Sequence, residues 1–269
     1  MKLWMLGSGS KGNAVLVECD GARILVDCGF GTRTLANRLK TISVKPDSID
    51  ACVITHEHTD HVSGAMSAAK KWGWELYATA GTAKEGELSG RRVHVFSPGA
   101  TLDFPTMTVV STRIPHDATE PVGFVIESRS TGARAGLFYD IGYVTRRIAK
   151  ACDSLDILVI ESNHDEHMLE HGSYPASLKR RIASRFGHLS NPDAGRFAKE
   201  MVHKELKHVV LAHLSEENNT PTLATTCMRG AMARTKFKGT ITAAKQDAVV
   251  GPFTPSTSRA DKPVQYSLF

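Results

Sequence analysis

Short apolar runs separated by Gly, Ser, Asn and Asp mark out the first half of the chain. They predict strands at Lys2–Leu6, Ala14–Cys19, Arg23–Val26, Ala51–Thr55 and Glu75–Ala78. A helical stretch over Val62–Trp72 separates the last two. The second half repeats this logic, with strands near Thr108–Thr112, Gly123–Glu127, Ala135–Tyr139, Asp156–Ile160 and His208–Ala212 alternating with helices. Two helices carry start signals: Asn191 as N-cap with Pro192 in the first turn, and Thr220 with Pro221 in the same roles. The alternation predicts an α/β fold in which two sheets pack together with helices outside.

The run His56-Glu57-His58-Thr59-Asp60-His61 stands where the apolar strand ending at Thr55 gives way to a helix. Three imidazoles and a carboxylate in so short a turn supply the neutral nitrogen and anionic oxygen that divalent transition metals bind. His56 and His58 alternate and so point the same way. Asp60 and His61, displaced by the turn, can face a second ion, so the pattern predicts two metals. A solvated histidine-rich loop is the other reading, but such a cluster directly after an apolar strand is hard to reach by chance.

The same run resembles the signature of the metallo-β-lactamase fold, whose other motifs follow in order. Asp27, closing ARILVD, matches a carboxylate that steadies the metal loop. His116 in RIPHDATEPVGF matches the third metal histidine, Asp140 at the end of GLFYD the bridging carboxylate, and His213 at the end of VVLAH the last metal histidine. The resemblance implies a four-layer αββα sandwich over residues 1–250. It also implies His56, His58 and His116 on one divalent ion, Asp60, His61 and His213 on the other, and Asp140 between them. The words MLGSGSKGNAVLVE, ESNHD at Glu161–Asp165, GHLSN at Gly187–Asn191 and AHLSEENN at Ala212–Asn219 are similar to the YycJ/WalJ-type branch. Members of that branch are bacterial metal-dependent nucleases acting on DNA from the 5′ end.

That branch implies phosphodiester hydrolysis by a 5′-to-3′ DNA exonuclease of replication or mismatch repair. A thiolate-free ligand set suits Mn²⁺ or Zn²⁺. Two such ions lower the pKa of water and neutralise charge on phosphate oxygens, so no side-chain nucleophile is needed and Asp60 matters through its ion. His188 and His164 are further catalytic candidates, able to bind the scissile phosphate, protonate the leaving oxygen or enlarge a metal shell. A structural hydrogen-bonding role suits each equally well. A second reading is a small-molecule hydrolase of thioesters or lactones on the same core, or an RNA-processing nuclease.

Composition changes this picture little. A chain of 269 residues, 41% hydrophobic, can bury a substantial core. The net charge of +5 favours a polyanionic partner only weakly. Its distribution says more, because Lys179, Arg180, Arg181 and Arg185 precede His188, and Arg146 and Arg147 follow Asp140. Both groups are expected beside the site, where they can hold flanking phosphates, although a solvated helix face explains any one of them. The loop from Gly7 to Asn13 reads as a tight turn at the rim. No segment is long enough for the inserted domain that covers related RNA-processing sites, so an open cleft is expected.

Five unpatterned cysteines suggest reduced core residues of a cytoplasmic protein. With no charged-then-apolar leader and no apolar run of about 18 residues, neither secretion nor membrane insertion is expected. From Gly251 to Lys262 the chain is rich in Pro, Ser and Thr and reads as a flexible linker. It leads to Gln265-Tyr266-Ser267-Leu268-Phe269, which resembles the motif that docks bacterial replication proteins on the sliding clamp through Gln265, Leu268 and Phe269. The alternation of Val264, Tyr266 and Leu268 fits a terminal strand instead.

Overall fold

Uninterrupted apolar strands need cover on both faces, and the fold supplies it by stacking two sheets between helices. The computed structural model describes residues 1–255, so Gln265, Leu268 and Phe269 lie outside the described residues. The first sheet contains β1 (Lys2–Gly7), β2 (Ala14–Cys19), β3 (Ala22–Val26), β4 (Ala51–Val53), β5 (Glu75–Thr79) and β6 (Val93–Phe96). The second contains β7 (Thr101–Asp103), β8 (Met107–Arg113), β9 (Val122–Ser128), β10 (Arg134–Phe138), β11 (Ile157–Glu161), β12 (His208–Ala212) and β13 (Thr240–Ala243). A last strand, β14 (Val250–Phe253), returns to pair antiparallel with β1. Among the described residues each sheet is 7-stranded, in the orders β14-β1-β2-β3-β4-β5-β6 and β13-β12-β11-β10-β9-β8-β7.

Strand periodicity divides the core into three layers. Leu3, Met5, Val15, Val17 and Val53 meet Val109, Phe124, Leu137, Val159 and Val210 between the sheets. The alternate residues Leu16, Leu25, Cys52 and Leu76 face helices α1 (Thr32–Thr41) and, beyond the short α2 (Thr59–Val62), α3 (Ala65–Trp72). On the opposite side Phe138, Leu158, Ile160, Val209 and Leu211 pack with buried residues of later helices. These follow α4 (Ala80–Glu85) as α5 (Arg146–Ala151), α6 (Glu166–His171), α7 (Ala176–Ile182), α8 (Asn191–Glu200) and α9 (Pro221–Met232).

Several expectations are corrected. Strand β4 stops at Val53, because the Thr55 backbone N–H turns away to donate to Asp27 Oδ1 at 2.8 Å. The helix expected from Val62 is two helices, so Asp60 and His61 sit within α2. They break at Gly64, where a Cβ would lie 2.0 Å from Phe30 O. Ser190, not Asn191, caps α8: its Oγ accepts from Asp193 N at 3.3 Å. Asn191 is engaged elsewhere, its Oδ1 accepting from Ser162 Oγ at 2.6 Å and Asn219 Nδ2 at 2.9 Å. Thr220 caps α9 as expected. Gly251 to Phe253, read as linker, belong to the first sheet.

Parallel pairing of β3 with β4 and of β10, β11 and β12 aligns the carboxyl ends of these strands along one edge of the sandwich. Asp27, His56, Asp140, Glu161 and His213 all lie at or just past those ends. This is where open α/β sheets place their sites.

Candidate metal centre

Three of these residues hold the left-handed backbone that side chains rarely adopt: Asp27 at φ 59, Asp140 at φ 53 and His213 at φ 52. Such strain persists where surrounding contacts over-determine it, and all three face one cluster. His58 Nδ1 lies 3.1 Å from His56 Nε2 and 3.3 Å from His116 Nε2. On the other side His61 Nε2 lies 3.2 Å from Asp60 Oδ2, which is 3.3 Å from His213 Nε2. His56, His58 and His116 form one group and Asp60, His61 and His213 another, each with its ligand atoms within 4.8 Å of one another. Asp140 joins the two through His56 and His61.

The donor set suits divalent cations. Asp140 Oδ2 is buried without a hydrogen bond, although His61 Nε2 stands 2.8 Å away. Asp140 Oδ2 thus keeps its lone pairs for a cation, while its Oδ1 lies 2.9 Å from His213 Nδ1. Buried Asp27 sets the ring of His61, accepting from its Nδ1 at 2.8 Å and leaving Nε2 to face the cluster. The same carboxylate accepts from Thr55 N, Thr55 Oγ1 and Tyr139 OH, each at 2.8 Å. Buried Asn13 adds a contact of 3.1 Å to Asp60 Oδ2. The loop read as a plain rim turn thus steadies one ligand, and Gly29 is pressed so close that a Cβ would meet Asp60 O at 1.7 Å.

Comparison with known proteins agrees with this geometry. The profile described as "Beta-lactamase superfamily domain" matches residues 22–214. Exodeoxyribonuclease WalJ of Streptococcus pneumoniae is 36% identical over 242 residues, 87% of this chain and 88% of the relative. The chain belongs to the WalJ/YycJ family of the beta-lactamase superfamily. Exodeoxyribonuclease YycJ of Bacillus anthracis is 35% identical over 225 residues, 82% of this chain and 84% of its own. Among solved structures, the metallo-beta-lactamase fold protein YhfI from Bacillus subtilis superposes with TM-score 0.70 at 19% identity, covering 93% of this chain and 99% of its own. Human tRNase Z, short form, gives TM-score 0.65 at 20% identity, covering 94% and 100%. These two show the shared fold.

Within this WalJ/YycJ family member the buried acids set the electrostatics. Burial alone would push the Asp140 carboxyl up, but His213 and His61 hold it well below the usual range. Burial likewise opposes protonation of His61 and His213, yet Asp140 and its acidic neighbours raise both imidazoles well above their ordinary value. His56, buried and next to His61, is held well below it. Acids and imidazoles so placed favour protonated rings when no cation is bound, and a cation binding there would displace those protons.

The remaining candidates separate cleanly. His188 joins the cluster, donating from Nδ1 to Glu161 Oε1 at 2.8 Å with Asp140 Oδ1 at 3.3 Å. Glu161, given no role from the sequence, is fully buried and also accepts from Ile141 N at 2.7 Å and Leu189 N at 3.1 Å. Its signal was an acid closing the apolar strand β11, the position Asp27 and Asp140 occupy near other strand ends. His164 is buried outside the ligand groups, and its Nδ1 has no hydrogen-bond partner among the described residues. A cleft of about 180 Å³ opens on the cluster between Ser10, Asp117, His188 and the α7 residues Leu178, Arg181 and Ile182. Of the four basic candidates near His188 only Arg181 lines it, held to Asp117 Oδ2 by Nε at 2.7 Å. Lys179 Nζ instead donates to Glu170 O at 2.8 Å, Arg180 faces solvent, and Arg185 lies over the Tyr143 ring at 4.7 Å.

Burial works against a charged His188, but Glu161 and then Asp140 push its imidazole up to about 9. That raised value means the ion pair stabilises metal-free protein fully below the unfolded imidazole pKa of about 6.5 and loses this contribution as pH rises through about 9. Glu161→Gln is expected to bring the His188 titration, followed by NMR in chelator-treated protein, back toward about 6.5. An unchanged titration would leave Asp140 alone responsible.

Proposed function

We propose that this protein is a two-metal-dependent phosphodiesterase that degrades DNA from the 5′ end. The convergence of two histidine and aspartate groups on a common Asp140, inside a cleft edged by Arg181, carries this reading. Its WalJ and YycJ relatives are exodeoxyribonucleases. His56, His58 and His116 would hold one ion, Asp60, His61 and His213 the other, with Asp140 shared; the mixed donors suit Mn²⁺ or Zn²⁺. Bound there, the ions would supply an activated water and neutralise charge on the phosphate. Asp27 and Asn13 keep His61 and Asp60 aimed before substrate arrives.

His188 takes the part of proton donor. Glu161 keeps its Nδ1 proton in place and favours the charged ring, so the imidazole reaches the cleft as an acid for the leaving oxygen. Arg181 meets a non-bridging phosphate oxygen, with Asp117 fixing its guanidinium at the rim. A small ester or thioester fits less well. At about 180 Å³ the cleft falls below the roughly 300–1,000 Å³ of typical small-molecule pockets, whereas a phosphodiester needs to present only its backbone. His164 stays outside the ligand groups in this reading.

The tail motif completes the proposal, as a dock for the bacterial sliding clamp in replication or mismatch repair. Strand β14 runs antiparallel to β1, from Val250 opposite Met5 to Phe253 opposite Leu3. Thr254 O is held by His208 Nε2 at 2.9 Å, at the amino end of the strand whose far end leads to His213. The last described residues therefore lie at the edge of the sandwich opposite the cleft. The free cysteines and the absence of a membrane-crossing helix among the described residues are in keeping with a cytoplasmic setting.

Digestion of 5′-phosphorylated duplex DNA, labelled at each end in turn and supplied with Mn²⁺ or Zn²⁺, tests the reading. Ordered release from the 5′ end is expected from the native protein and is expected to be abolished in Asp60→Ala, with the fold intact by circular dichroism. Absence of cleavage of DNA and of matched RNA would favour a small ester substrate. Deleting Gln265 to Phe269 is expected to leave free nuclease activity unchanged while abolishing clamp binding in a pull-down. Unfolding on deletion would mean that the tail completes the sheet instead.

A further inference from the structure

Every other described Phe and Trp is buried or half-buried, but Phe186 is 58% exposed. A mobile loop does not account for this. Phe186 O accepts from Asp117 N at 3.1 Å, its own N–H donates to Ser184 Oγ at 3.3 Å, and His188 N donates to Ile182 O at 2.8 Å. The neighbouring backbone is packed to its limit: a Cβ on Gly142 would lie 2.2 Å from Arg185 O, and one on Gly187 would lie 2.2 Å from Arg181 O. An aromatic ring is thus presented to solvent from a fixed backbone, two residues from His188 and tied to the Asp117 that holds Arg181.

Its surroundings say what such a ring would meet. Arg181 lines the cleft on one side. On the other, the Arg185 guanidinium stacks on Tyr143, which lines a groove of about 400 Å³ together with exposed Arg146 and Arg196. Asp193 and Glu200 share that groove and Asp193 pairs with Arg196, which leaves Arg146 and Arg185 as the cations there without an acidic partner in contact among the described residues. Cations for phosphates with an exposed aromatic ring on the same short segment are how proteins grip single-stranded nucleic acid without reading its sequence.

We propose that Phe186 is a stacking platform for an unpaired base of the DNA strand entering the cleft, with Arg181 and Arg185 meeting the phosphates on either side. This rests on the nuclease reading above and deepens it: the strand is presented to the metal centre already separated from its complement. Phe186 orients the strand, and the chemistry stays with the cluster.

The test is fluorescence anisotropy with metal-loaded protein and a labelled, 5′-phosphorylated single strand whose phosphorothioate linkages resist cleavage. Phe186→Ala is expected to weaken binding about tenfold, within the range of one base–aromatic stack, while Phe186→Trp keeps it. One abasic site, scanned inward from the 5′ end, should at a single position cost the native protein about tenfold and Phe186→Ala nothing further. Native-like binding by Phe186→Ala, equal losses in both proteins at every abasic position, or an altered oligomeric state with DNA binding unchanged would overturn the proposal. Each of those leaves the nuclease reading standing, whereas failure of the native protein to bind the strand at all would bring down both.

Discussion

Asp27 ties the two sheets together at the point where the candidate ligands meet. Its carboxylate has no exposed surface and takes donors from Thr55 after β4, from His61 on α2 and from Tyr139 after β10. Breaking a buried arrangement of this kind by removing one partner typically costs about 3–5 kcal/mol, because a charge is left without compensation. The strained backbone at Asp27 itself is held by these contacts. One carboxylate therefore fixes a strand end, the start of the histidine loop and the ring of a ligand before any cation is present.

From that anchor the site follows by topology. Parallel strands deliver Asp140, Glu161 and His213 to the same edge from the second sheet, and β4 delivers His56 from the first. The cluster collects more carboxylate than neutral imidazoles can balance, so charge must come from protons or from metal. His188 is held by Glu161 at the side of the cleft that Arg181 also lines. Arg181, Phe186 and His188 lie on one short segment, packed against the loop that follows Asp140.

Much of this was legible in the sequence where the signal is local. The histidine run is a compact statement of metal chemistry, and the long interior strands announce themselves by unbroken apolar content. Edge strands such as β7 and β13, with few buried residues, carry no such signal. Helix α1 was missed because no side chain caps it and its first turn has no acid, leaving only Leu35 and Leu39 as a buried face. Asn191 offered a plausible cap beside Pro192, but a buried amide network outbid the helix for its side chain. Glu161 and Asn13 were passed over because a lone acid and a turn amide acquire meaning only from what the fold brings to them. The four basic candidates looked alike in one dimension, and only helix geometry singled out Arg181.

The proposed function requires this scaffold to prepare two adjacent cation sites sharing Asp140. Native mass spectrometry of the protein titrated with Mn²⁺ or Zn²⁺, checked by elemental analysis, measures this directly. The account predicts saturation at two ions per chain, with protons released as the ions bind. Saturation at a single ion, or uptake without proton release, would contradict it.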